Sequence, residues 1–195
     1  MKARKVILQS GIEIDYLNFD NTRLHESDLY RGICGENRYL NAIPVPLGLH
    51  LALCAELARS HGYSIAEVAA CAAHDLHEVY FRDLPTGLKD LCPDYARIEK
   101  LGEASVFRRL SLDTVDKSKI KHIDSLALIV EATYFQHTAL SVMIDEGHPV
   151  PTEQDFRAFL RVWNDRNDQR WDTIAMAIRA HTTEGIAWDS SVVID

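Results

Sequence analysis

The sequence predicts an all-α helical bundle with a minor N-terminal β hairpin, and three observations carry that prediction. Apolar residues recur at helical spacing along most of the chain, Leu47, Leu51, Cys54 and Ala58 forming one such stripe. Capping and stop residues bracket these stretches, whereas strand-like alternation is confined to the run Ile12 to Tyr16. With 195 residues and 47% hydrophobic composition, the chain can bury one core and is short for two, so residues 1–195 read as a single domain.

Taken in order, Val6-Ile7-Leu8 and Ile12-Glu13-Ile14-Asp15-Tyr16 flank Gln9-Ser10-Gly11, the pattern of a small hairpin. Asp28 to Cys34 gives a short helix, and Pro46 to His61 a longer one stopped by Gly62. Ser64-Ile65-Ala66-Glu67 is a capping box, in which each side chain satisfies the other residue's backbone amide, and it opens a helix running to about Tyr80. Proline and glycine in Asp83-Leu84-Pro85-Thr86-Gly87 end that helix in a turn. Asp94 to Leu110 follows as a polar amphipathic helix. Lys119 to Phe135 comes next, with Ile123, Leu126, Ala127 and Val130 as its apolar stripe and Asp124 and Glu131 beside it. Thr152 caps helical text reaching about His181, whose polar centre Asn164 to Asp168 is a kink or a break between two helices.

A net charge of −8 argues against a nucleic-acid polymer or an anionic membrane surface as partner, because both reward clustered Lys and Arg. A small anionic substrate fits if a metal supplies the positive charge. The four cysteines have no C-x-x-C spacing, and Cys54 and Cys71 lie in apolar text where a thiol behaves as a small hydrophobe, which points to a reduced compartment. No apolar run approaches the roughly 20 residues needed to cross a bilayer, and Val6-Ile7-Leu8 is too short for the core of a signal peptide. A cytoplasmic protein is expected.

The chemistry concentrates in Ala73-His74-Asp75-Leu76-His77-Glu78. On a helix at about 100° per residue, residues 74, 75 and 78 fall within an arc of roughly 100°, so one face carries an imidazole and two carboxylates. This cluster follows the nearly all-apolar run Ala66 to Ala73, so the polar residues emerge from buried text. Two ligands on one helix hold a cation weakly, and His50 and Asp124, each a polar residue amid apolar helix, are the candidates that complete the set. Mixed nitrogen and oxygen ligation by His50, His74, Asp75 and Asp124 suits one divalent transition metal, Co, Mn, Zn or Fe, with Mg less well matched. His77, one turn from His74, either touches substrate or packs.

The order His50, His74-Asp75, Asp124 resembles the HD superfamily of metal-dependent phosphohydrolases. The segment His74-Asp75-x-x-Glu78-x-x-x-x-Asp83-Leu84-Pro85-Thr86-x-x-Lys89 is similar to the H-D-x-x-E-x-x-x-x-D-[IL]-P-[ST]-x-x-K pattern of bacterial 5′-deoxynucleotidases and their phage and prophage relatives. Those relatives include dATP triphosphohydrolases, which share a pattern like Ser10-Gly11-x-x-Ile14-Asp15-x-Leu17-Asn18. The resemblance spans roughly residues 6 to 135. It implies an HD-domain bundle, a deoxynucleotide substrate, and a bacterial or phage-infected host cytoplasm. It also implies roles: Arg38 and Lys89 toward phosphate, and Tyr39 toward base or sugar. Three departures stand out: Gly35-Glu36-Asn37 look inserted, Leu49 replaces a polar residue before the first metal histidine, and Arg82 stands where a small residue is common.

The expected reaction is phosphoester hydrolysis, with Glu78 and Asp83 dividing the work of handling water and leaving group. dATP is the expected substrate and triphosphate the product. The alternatives are a 5′-deoxynucleotidase acting on monophosphates, a nucleotide-binding HD protein without turnover, and a phosphodiesterase of a signalling nucleotide. Apolar residues around Phe156, Phe159, Leu160 and Trp163 suggest a homo-oligomer.

Overall fold

The computed structural model describes residues 6–39, 44–82, 84–135 and 149–182. Strands β1 (Val6–Ile7) and β2 (Glu13–Ile14) pair antiparallel. Gly11, at φ 85°, takes the left-handed conformation their turn requires. Ser10 ties the hairpin to the bundle, its hydroxyl donating to the Asp28 carboxylate on α1 (Glu26–Gly35).

The bundle is built around α2 (Leu47–Ser60), which packs against α1, α3 (Ile65–Ala73), α7 (Lys117–Tyr134), α8 (Glu153–Asn164) and α9 (Asn167–His181). Most of α2 is buried, as expected of a helix apolar on nearly every side. Leu49, one departure from the family pattern, is fully buried in this core, where a polar side chain would need a partner. The capping box of Ser64 and Glu67 forms as the sequence predicts. The stretch after Thr152 is broken rather than kinked: Asp165 and Arg166 separate α8 from α9, and Thr152 caps α8.

One predicted helix is not continuous. Ser64 to Tyr80 divides into α3 and the short α4 (Glu78–Phe81), with His74 to His77 as a turn between them. The histidines contribute to the break. His74 Nδ1 lies 2.9 Å from the Cys71 carbonyl and His77 Nδ1 3.2 Å from the His74 carbonyl, while the Glu78 amide bonds Asp75 O at 3.0 Å, three residues back rather than four. Imidazoles thus compete for carbonyls that a continuing α-helix would use, and the turn tightens toward 3-10 geometry.

Two glycines hold α4 in place. A Cβ on Gly32 of α1 would meet Val79 at 2.2 Å, and one on Gly102 of α6 (Pro93–Arg109) would meet Phe81 at 2.3 Å. Helices on both sides therefore approach α4 closely, which fixes Glu78 at its first position. A further short helix, α5 (Thr86–Lys89), occupies part of the predicted turn. Phe159 is fully buried, Phe156 and Trp163 pack against the core, and Leu160 is exposed, so most of this apolar group covers the protein's own interior. Among the described residues no helix is long and apolar enough to cross a membrane.

Candidate metal centre and cleft

Three elements bring the predicted ligands together: the first turn of α2 carries His50, the turn after α3 carries His74 and Asp75, and α7 carries Asp124. His50 Nε2 lies 3.4 Å from His74 Nε2, 3.4 Å from Asp124 Oδ1 and 3.9 Å from Asp75 Oδ2. His74 Nε2 lies 3.2 Å from Asp75 Oδ2 and 3.7 Å from Asp124 Oδ1. Ligand atoms at about 2.0–2.2 Å from one cation sit roughly 3–4 Å from each other, so these spacings fit a single ion. Cys54 joins them from the next turn of α2, its Sγ 3.6 Å from His50 Nε2, and His50, Cys54 and His74 form a group that could hold a metal.

Both imidazoles are held so that Nε2 faces the centre. His74 Nδ1–H donates to the Cys71 carbonyl. His50 Nδ1–H donates to Glu131 Oε1 at 2.9 Å, and the Tyr39 hydroxyl donates to Glu131 Oε2 at 2.7 Å. A carboxylate behind a histidine fixes its tautomer and strengthens it as a ligand. Glu131 is fully buried, yet its carboxyl stays below the usual range: burial alone would raise it, and His50 and Arg38 reverse that. Burial likewise opposes charge on His74, but Asp75 and Asp124 carry its pKa well above the ordinary value. Asp75 and Asp124 move the opposite way, far below the usual carboxylate range despite burial.

Arg38 and Tyr39 complete the inner wall. Arg38 N bonds the Val45 carbonyl at 2.9 Å, Leu47 N bonds Glu36 O at 2.8 Å, and Asn37 bridges to Pro46, so residues 36–38 pair with residues 45–47. Arg38 Nη1 reaches Asp75 Oδ2 at 3.0 Å. Tyr39 adopts φ 56°, a left-handed conformation uncommon for a bulky residue, with its hydroxyl anchored on Glu131. Two departures from the family pattern meet here: Arg82 pairs with Glu36 of the apparent insertion.

Outside the predicted ligands lies a cleft of about 410 Å³. His74, Asp75, His77 and Glu78 line one side; α6 contributes Glu99, Lys100, Glu103 and Phe107; α7 contributes Lys117, Ile120, Lys121 and Asp124; Lys89 closes an edge. Lys89 is paired with Glu99 at 2.8 Å, Lys117 with Glu103 at 3.0 Å and Lys121 with Asp124 at 2.9 Å. Burial lowers the His77 pKa, so this imidazole faces the cleft neutral. Glu78 is largely buried at the cleft wall.

No protein-family model matches the chain. It is similar to the uncharacterized protein YfdR of Escherichia coli (strain K12), 32% identical over 85 residues that cover 37% of this chain and 48% of that protein. The match thus spans about half the length of the relative.

Of the residues predicted from sequence, His50, His74, Asp75 and Asp124 converge, and Glu78, His77 and Lys89 line the cleft beside them. Arg38 and Tyr39 belong instead to the inner wall, bonded to Asp75 and Glu131. Asp83 lies outside the described residues. Sequence reasoning placed Glu131 only as a neighbour of the α7 stripe and Cys54 as a small hydrophobe. The available signal was spacing: Glu131 follows Asp124 by seven residues and Cys54 follows His50 by four, each on the same helix face as its partner.

Proposed function

We propose that this chain is a metal-dependent phosphohydrolase of deoxynucleotides, with dATP its substrate and inorganic triphosphate its product. The observation that carries the reading is the convergence of two imidazole nitrogens, each 3.2–3.9 Å from an oxygen of both carboxylates, beside a cleft with Glu78 in its wall. The donor set fits one divalent ion of the Co, Mn, Zn or Fe type, held by His50, His74, Asp75 and Asp124.

When bound, such an ion supplies Lewis-acid polarisation of a phosphoryl oxygen and a more acidic water. Glu78, at the cleft wall next to the ligands, is placed to take a proton from the attacking water. In this reading Asp83 orients the leaving side or protonates the leaving oxygen. Arg38, bonded to Asp75, puts a guanidinium beside the centre whose Nε has no hydrogen-bond partner among the described residues, a donor available to a phosphate. Lys89, Lys100, Lys117 and Lys121 are four of the seven lysines in the chain, and all line this cleft. That concentration in an acidic protein supports a polyphosphate rather than a neutral ligand. A soluble homo-oligomer in the cytoplasm belongs to the same reading.

A second reading, a 5′-deoxynucleotidase acting on monophosphates, is favoured by the pairing of Lys89 and Lys117 with Glu99 and Glu103, since a single phosphate needs fewer free cations. The test is to incubate metal-loaded protein with deoxynucleoside mono-, di- and triphosphates and identify the released phosphate. Triphosphate from dATP is expected. Orthophosphate from monophosphates alone would replace the first reading with the second, and nucleotide binding without any turnover would remove both.

A further inference from the structure

The donors around His50 and His74 divide by depth. Cys54 is fully buried, on the core side of the two imidazoles, whereas the Asp75 and Asp124 side chains are 19% and 20% exposed, on the cleft side. The carboxylates already have cationic partners, Arg38 on Asp75 and Lys121 on Asp124, whereas the Cys54 thiol lies against His50 Nε2. Zn–N bonds of about 2.0–2.1 Å and Zn–S bonds of about 2.3 Å at tetrahedral angles put nitrogen about 3.3 Å from nitrogen and about 3.5 Å from sulfur. The observed separations are 3.4 Å and 3.6 Å.

We infer that the two imidazoles serve two overlapping cation positions: an outer one shared with Asp75 and Asp124 for oxygen-preferring ions, and an inner one shared with Cys54 for thiophilic ions such as Zn²⁺ and Cd²⁺. The inference rests on the reading of His50 and His74 as metal ligands and adds which class of ion changes the ligand set. Thiolate sulfur favours soft cations, and carboxylate favours Mg²⁺ and Mn²⁺, so ion identity selects the position. On inner binding a sulfur–metal bond forms, the S–H bond breaks, and the proton passes to buffer; nothing is oxidised. A thiophilic ion bound this way leaves the Arg38–Asp75 pair intact.

The test uses metal-free full-length protein and two ions. Cd²⁺ is followed by near-ultraviolet thiolate-to-cadmium charge transfer together with proton release, and Mn²⁺ by the loss of its free-ion paramagnetic resonance signal. In the wild type Cd²⁺ produces the band; Cys54→Ser and Cys54→Ala abolish it and weaken Cd²⁺ binding at least roughly tenfold, the smallest loss typical even of residues that only orient a ligand. Mn²⁺ affinity stays unchanged in both Cys54 variants, and Asp124→Asn gives the reverse, with weakened Mn²⁺ and a retained cadmium band. Circular dichroism on each variant checks that the helical fold is kept. Mn²⁺ binding without a cadmium band, or a band that survives in both Cys54 variants, overturns the inner position while leaving the metal centre standing. Failure of both ions to bind removes the metal centre and the inference together.

Discussion

The inner wall of the site and the rim of its cleft both carry charged groups but obey different rules. On the inner wall, His50 and Glu131 have no side-chain exposure, and both oxygens of Glu131 have fixed partners, His50 on one and Tyr39 on the other. On the rim, Lys117 and Lys121 are 72% and 73% exposed, so both ammonium groups reach their carboxylates from the solvent side. Breaking a buried pair by removing one partner typically costs about 3–5 kcal/mol, while exposed pairs contribute about 0–1 kcal/mol. Geometry is therefore imposed inside and negotiable outside. A centre that must hold a cation in one place needs the first kind of wall, and a cleft that admits and releases a charged substrate needs the second.

The sharpest way to break this contrast is to remove a ligand. Asp124→Asn keeps the side chain's shape and deletes its charge; the metal content of the purified protein should fall steeply, and hydrolysis with it by roughly 10³ or more, since such an ion supplies several kcal/mol of transition-state stabilisation. Elemental analysis alongside the phosphate-release assay checks both, and undiminished metal in this variant would sink the assignment. Glu78→Gln separates chemistry from binding. It should leave the metal bound and lower turnover by roughly 10², the scale of a lost acid–base group; full activity would make Glu78 a structural residue at the start of α4.

Glu131→Gln tests the inner wall itself. The amide oxygen can still accept from His50, but the carboxylate that orders the ring and raises its basicity is gone, so metal affinity should weaken about 10–100-fold while the maximal rate at saturating metal recovers. Titration with Co²⁺ measures the affinity. An unchanged dissociation constant would mean that packing alone orients His50 and that the buried carboxylate serves only to anchor Tyr39.

The convergence of His50, His74, Asp75 and Asp124 was legible in the sequence because polar residues interrupting apolar helices are costly without a purpose, and these four do so in a recognisable order. The helical architecture was legible for the same reason that the capping boxes at Ser64 and Thr152 form: local donors and acceptors match at fixed spacing. The break at His74 to His77 was not, because apolar periodicity does not register a side chain competing for a backbone carbonyl. Glu131 and Cys54 were hidden differently. Each lies beside or within an apolar stripe, and only the meeting of α2, α7 and the Tyr39 loop reveals what each one touches.

The rim should respond last and least. If Lys100 and Lys117 act on a polyphosphate tail, the double substitution to alanine raises KM for a deoxynucleoside triphosphate by about three- to tenfold, leaves kcat and metal affinity in place, and hardly alters any monophosphate hydrolysis, as expected of screened, solvent-exposed charges. Neither lysine contacts a proposed ligand, and Lys117 would leave Glu103 behind, so part of the loss is the exposure of that carboxylate to the substrate. Salt separates the two contributions from a packing effect: kcat/KM should fall less steeply with ionic strength in the variant than in the wild type, because fewer protein cations are screened. Equal losses on mono- and triphosphates would show that these lysines attract anions generally rather than hold a tail, and parallel salt dependences would remove them from substrate binding altogether, leaving Lys89 and Lys121 as the rim's remaining cations near the centre.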